Sequence, residues 1–198
     1  MSTEPSAVIP ASDRVAPLEA RAPKLAVFAA LVVCTWLGVL LLSRHEGAAT
    51  VYLTDAARTR YLTLHVTGFC LGLGTVLAVD AVALASVLGF TSVARAARFA
   101  LHADWLIWLG FVLVCVSGAF LQPDFGNGWV VANFFVVLVL GLNAVHARDV
   151  LDHVRVLPDG IRIRALPRTL VVRAAGGAVL SQVLWWTSMA IGYFTRLR

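Results

Sequence analysis

Chemistry in this chain is concentrated in a few ionisable and soft-donor residues that interrupt long apolar stretches. Asp80, His102, His146 and Asn143 form one set, and His65, Met189 and His45 another. Depth along each stretch can be compared by counting from the aromatic residue at its edge. Asp80 lies 19 residues past Tyr61, roughly 28 Å of helix. His146 lies 17 past Trp129 and His102 lies 18 before Phe120, roughly 26 Å in each case. The count places Asp80, His102 and His146 at one level, with Asp104 and Asn143 close by. Two histidines at one level on facing helices could take b-type haem iron between them. They could equally hold a metal ion, with Asp80 as a further ligand and Asp80 or Asn143 orienting an imidazole. The plainer alternative puts all three at the headgroup boundary, hydrogen-bonded to water, Arg95, Arg98 or Arg148.

His65 sits four residues past Tyr61 and Met189 four before Tyr193, which predicts similar depths near the opposite face. A His/Met pair is a known haem-ligand combination and also suits copper, for which His45 in the adjoining connector could add a ligand. Against this stand a histidine that bonds a neighbouring helix and a methionine that fills a gap. His65 also opens the run His65-x-x-Gly68-x-x-x-Gly72-x-Gly74. Gly68 and Gly72 have the small-xxx-small spacing that lets two helix backbones approach closely. At ~100° per residue, His65, Gly68 and Gly72 fall within about 60° of arc, with Asp80 about 60° to the other side of His65. This segment therefore turns one polar, small face toward its neighbours.

The elements that must position these residues follow from composition. Of 198 residues, 60% are hydrophobic and 14% charged, whereas soluble domains carry about 25% charged residues. The apolar residues gather into five blocks: Leu25–Ser43, Tyr61–Phe90, Phe99–Leu121, Trp129–His146 and Leu170–Phe194. A hydrocarbon core ~30 Å thick asks for about 20 apolar residues of helix, and a soluble core would not repeat that length five times. The expected fold is all-α, a polytopic transmembrane bundle of about five helices over residues 25–198, behind a proline-bearing disordered cytoplasmic tail at 1–24. The first block has 19 residues, longer than the ~7–15 of a signal-peptide core, and is read as a helix despite the small residues at Ala48-Ala49. Pro123 with Gly126-Asn127-Gly128, and Pro158-Asp159-Gly160, supply turn chemistry to two connectors. Tyr61, Trp129 and Tyr193 stand at block ends, as interfacial aromatics do.

The net charge is +5, and 15 of the 16 bases are arginine. These bases lie between the blocks, where membrane topology accounts for them and nucleic acid is not needed. Eleven fall on the side of the tail and the second and fourth connectors, and five on the other. The positive-inside rule predicts a plasma-membrane protein with a cytoplasmic N-terminus and an extracytoplasmic C-terminus. The fourth connector alternates apolar residues with arginine, as in Ile161-Arg162-Ile163-Arg164, and reads as a loop held by anionic headgroups or as a partner-docking arm. Cys34, Cys70 and Cys115 lie inside the blocks with no C-x-x-C pair and read as small core residues. The motifs of soluble enzymes (Walker loop, Rossmann fingerprint, nucleophile elbow, H-E-x-x-H) do not occur, so the chain reads away from catalysis. Beyond the lipid bilayer, the expected partners are another membrane protein or a second copy. Haem or copper handling competes with a non-catalytic membrane subunit or small transporter that acts through helix–helix contacts.

The stretch from His65 to Gly74, followed by Asp80, resembles the signature helix of small, mostly uncharacterised bacterial membrane proteins, H-x-x-G-x-x-L-G-x-G with an aspartate lower down. Gly118 and Leu142-Asn143-Ala144-Val145-His146 are similar to that group's third and fourth helices. More distantly the arrangement looks like copper-resistance protein D and cytochrome b561-like bundles, whose helix histidines hold haem or serve copper handling. The resemblance covers residues ~60–150 and implies functional roles for His65, Asp80 and His146. The chain departs from those bundles in lacking histidine pairs at both depths.

Overall fold

The computed structural model describes residues 22–48, 53–154, 157–158 and 160–196, and these form five α-helices with no strand among them. They are α1 (Ala22–Ala48), α2 (Asp55–Val87), α3 (Val93–Phe120), α4 (Gly128–Val154) and α5 (Arg168–Arg196), with one 3-10 turn, Ile163–Ala165, before α5. The first four are long and apolar enough to cross a membrane, which makes this a multi-pass membrane protein. The fifth is not among those four, because Arg173, Ser181, Gln182 and Ser188 dilute its apolar run.

Each helix outruns its apolar block at one end or both. Thr54 caps α2 by accepting a hydrogen bond from the Ala57 amide at 3.3 Å, so the helix begins six residues before Tyr61. Ser92 does the same for α3, accepting from the Arg95 amide at 3.3 Å. The α4 helix continues through Arg148, Asp149, Asp152 and His153. A block count stops where hydrocarbon stops, whereas a helix persists into the headgroup layer as long as its amides stay paired. The second block errs the other way: α2 ends at Val87, and Gly89 turns the chain with φ +86° before Phe90. The expected tail falls outside the described residues except for its last three, which open α1.

The tightest seam joins α2 and α3, which form an antiparallel hairpin. A Cβ on Gly110 would lie 2.5 Å from the Gly72 nitrogen and 2.7 Å from the Gly68 oxygen, so the two backbones touch there. Tyr61 stacks on Phe120 at 5.0 Å, and Gly68 faces the Leu113 Cβ, which fixes the register. The close packing predicted from Gly68 and Gly72 is present, with Gly110 as the surface that receives it. A second antiparallel pair, α4 and α5, closes on Gly177. The two pairs meet through Trp185, which is 3% exposed and packs edge-on to Phe69 at 5.3 Å with Leu73, Val76 and Leu140 around it. The α1 helix lies outside this four-helix unit against α3 and α4. It is held where the Trp36 indole N–H donates to the Phe134 carbonyl at 2.6 Å and where Val32 covers Gly141.

The cysteines are not the core residues expected of them. Cys34 and Cys70 are exposed and Cys115 is half-buried. In lipid an apolar thiol gains nothing from facing inward, so position in an apolar block does not imply burial.

Candidate functional site: a cavity between the helices

A half-open cavity of about 1520 Å³ runs along the helices and takes its lining from all five. At one end it reaches Arg58, His65, Met189 and Tyr193; at the other it reaches Lys24, Asp104, Arg148, Asp149 and Asp152. The middle is apolar and aromatic, with Phe69, Trp108 and Phe111 in its wall.

The His65 end is the more organised. Ser117 lies one turn inside the C-terminal end of α3, and its hydroxyl donates to the carbonyl of Leu113 on its own helix. The His65 Nδ1 lies 3.2 Å from that oxygen, a hydrogen bond that ties α2 to α3. If the serine proton stays on the Leu113 carbonyl, the imidazole donates from Nδ1. Gly118 makes room for the ring, since a Cβ there would sit 3.1 Å from His65 Cε1. Met189 reaches the same level from α5. Phe69 touches Trp185 across the α2–α5 contact, His65 stands one turn before Phe69, Met189 stands one turn after Trp185, and the two helices run antiparallel. Asn133 on α4 also lines the cavity, and its Oδ1 is buried without a hydrogen-bond partner. His45 stays apart: its side chain is 82% exposed at the end of α1, 3.7 Å from Glu46, and it is not in the cavity wall.

The set of Asp80, His102, His146 and Asn143 is distributed otherwise than the depth count implies. Carrying the α2–α3 register inward from Gly72 and Gly110 does set Asp80 level with His102. Their side chains nevertheless point to different neighbours. Asp80 turns to α5, where Gln182 Nε2 donates to its carboxylate at 2.6 Å and Gln182 Oε1 accepts from the Trp186 indole at 3.0 Å. His102 is exposed, with Nδ1 2.7 Å from the Arg98 carbonyl of its own helix. Asp104, two residues on and about 200° around the helix, is the residue that faces α4. Asn143 and His146 face α5: Asn143 Nδ2 donates to the Gly177 carbonyl at 2.9 Å, and the His146 ring lies alongside the same glycine. His102 and His146 thus look away from each other, and the structure does not assemble them as a facing pair. Among the described residues no group of three histidine, cysteine, aspartate or glutamate side chains is placed to hold a metal ion.

The Asp104 end of the cavity carries an ionic cluster. Arg148 reaches Asp104 at 2.5 Å and Asp152 at 3.9 Å, and Arg173 reaches Asp149 at 2.7 Å, with His153 3.6 Å from the same carboxylate. These pairs tie α3, α4 and α5 together at that end of the bundle.

Ser117, Gln182 and Gly177 were not anticipated from the sequence. Gln182 carried a readable signal, since a polar amide inside an apolar block needs a partner in lipid. Ser117 and Gly177 carried none, because small residues are common throughout these helices. Comparison with protein-family models, with curated proteins and with solved structures finds no match for this chain.

Proposed function

We propose that this is a plasma-membrane protein, N-terminus cytoplasmic and C-terminus extracytoplasmic, that holds b-type haem in its cavity through His65 and Met189 and serves one-electron chemistry in the bilayer. The observation that carries the reading is the hydrogen bond between His65 and Ser117, which anchors the imidazole in the wall of a cavity that Met189 also lines. With Nδ1 as the donor in that bond, Nε2 would be the nitrogen to ligate iron. The resemblance to copper-resistance protein D and cytochrome b561-like bundles is in keeping with this choice of cofactor. The residues present fit the group: Gly118 makes room for the imidazole itself, and the unpartnered Asn133 Oδ1 is an acceptor that a polar ligand edge could satisfy. Bound haem would supply reversible electron uptake at its iron, and a methionine ligand raises the potential at which that occurs. The protein's own part is to anchor the imidazole, present the thioether and exclude water with Phe69, Trp108 and Phe111.

The test is an absorption spectrum and metal analysis of the protein purified in detergent after expression with haem supplied. The expected result is a Soret band that His65→Ala abolishes and that His102→Ala and His146→Ala leave in place. Copper without haem would reassign the His65/Met189 pair to metal handling. Neither haem nor copper, or a Soret band that survives His65→Ala, would refute the proposal. The competing reading, a subunit or small transporter, draws on the cavity's reach from Lys24 and Asp104 to Arg58 and Tyr193. Copurification of a stoichiometric partner with no chromophore would favour it.

A further inference from the structure

The turn between α2 and α3 and the connector before α5 build a second, polar pocket of about 430 Å³ at the ionic end of the bundle. Three arginines line it: Arg95 from the first turn of α3, and Arg162 and Arg164 from the connector. The connector is seated by its apolar residues. Leu157, Ile163 and Leu166 pack on a small cluster of Val93, Ala97 and Val154, which leaves Arg162 and Arg164, on either side of Ile163, exposed. Arg95 is aimed by Ser92, whose hydroxyl is 3.3 Å from its Nε. Among the described residues none of the three has a carboxylate partner, and none of the pocket's described lining residues is acidic. The contrast with Arg148 and Arg173, which are both ion-paired at the same end, is direct. Three guanidinium groups around one polar space, with no carboxylate partner among the described residues and the positive end of α3 beside them, match the charge and the fork geometry of a phosphate group.

The rim of the pocket indicates what carries that phosphate. Leu88 is 62% exposed and Phe90 82% exposed on the same turn, and both line the pocket. An apolar lip beside a cationic pocket at the end of membrane-spanning helices suits a molecule with a phosphate head and acyl chains. We propose that this pocket binds the phosphate group of an anionic phospholipid, with Arg95, Arg162 and Arg164 on the headgroup and Leu88 and Phe90 against the chains. The site is independent of the haem-binding cavity, and its test does not depend on a cofactor.

Detergent-purified protein would be titrated with phosphatidylglycerol or phosphatidylcholine and the retained lipid counted by native mass spectrometry. Phosphatidylglycerol is expected to be retained in preference. At roughly fivefold per basic residue near an anionic lipid, the triple change Arg95→Gln, Arg162→Gln and Arg164→Gln should weaken retention roughly a hundredfold. Arg162→Gln alone, in an exposed connector position that does not challenge folding, should weaken it roughly fivefold. Arg60→Gln at the opposite end of the bundle should leave it unchanged. Equal retention of the two lipids, or a triple variant that holds phosphatidylglycerol as the parent does, would overturn the proposal. Displacement of the lipid by excess inorganic phosphate, with Phe90→Ser without effect, would overturn the lipid assignment and make the pocket a free-phosphate site.

Discussion

Replacing Gly110 by alanine adds one methyl group at the point where α2 and α3 touch, and the structure sets what that methyl must cost. Its carbon would lie 2.5 Å from the Gly72 nitrogen, 2.7 Å from the Gly72 Cα and 2.7 Å from the Gly68 oxygen. Non-bonded carbon contacts are comfortable at about 3.5–4.0 Å, so the helices must part by about 1 Å along the seam. All three obstructing atoms are backbone, and no rotamer change can relieve them. Overpacking of this kind costs about 1–3 kcal/mol, and rigid obstruction places Gly110→Ala toward the upper end. The loss spreads, because Leu113 and Val114 also touch Gly68 and would be lifted with it. Gly74→Ala is the control: nothing lies within 4 Å of the position its Cβ would take, and the helix gains the better former. Reversible unfolding by denaturing detergent, followed through helix ellipticity, would give both free energies. The reasoning predicts a loss of about 2–3 kcal/mol for Gly110→Ala and a gain of up to about 1 kcal/mol for Gly74→Ala. Equal stabilities for the two variants would show that the α2–α3 backbones are not in contact.

Two further outcomes follow from the same contacts. Gly72→Ala would set a methyl 2.7 Å from the Trp185 ring, so its cost should shrink in a Trp185→Phe background, with a coupling of about 1 kcal/mol or more in a double-mutant cycle; additive costs would refute the contact. Arg148→Ala should lower stability by less than about 1 kcal/mol, because this side chain is 45% exposed and solvent screens its pairs, and the effect should shrink further in high salt. A loss that is large and insensitive to salt would mean that the cluster is dry.

The relative level of residues on neighbouring helices was legible in the sequence, and direction around each helix was not. Block length alone located the apolar helices, and the Gly68/Gly72 spacing located the seam that α3 fills with Gly110. Counting residues set Asp80 and His102 level, as the register of the α2–α3 hairpin also does. In water the apolar stripe of a helix announces which side faces the core. In lipid the outward face is apolar too, so that signal fades, and the sequence could not say that His102 turns outward while Asp104, two residues on, turns to Arg148. The same ambiguity hid Cys34 and Cys70 on exposed faces. Partner identity was further out of reach. Asp80 meets Gln182 across 102 residues, and no local pattern ties α2 to α5. At the other end, counting from Tyr61 and Tyr193 set His65 and Met189 level, as the α2–α5 register also does, while His45 stands apart.

The loose attachment of α1 has a consequence for how the protein is made. Emerging from the ribosome ahead of α3 and α4, α1 enters the membrane before either of the helices it touches exists, since they follow only after α2 has been threaded. It must therefore be stable in lipid by itself, and its nearly uninterrupted apolar sequence, from Leu25 to Ser43, allows that. Insertion and docking become separate events: the α2–α3 hairpin can close once α3 is synthesised, and the α1 contact to α4 forms later, when the Phe134 carbonyl arrives to receive Trp36. Truncating the nascent chain within α4 would leave α1 in the bilayer but undocked, a state that crosslinking between positions 32 and 141 could time.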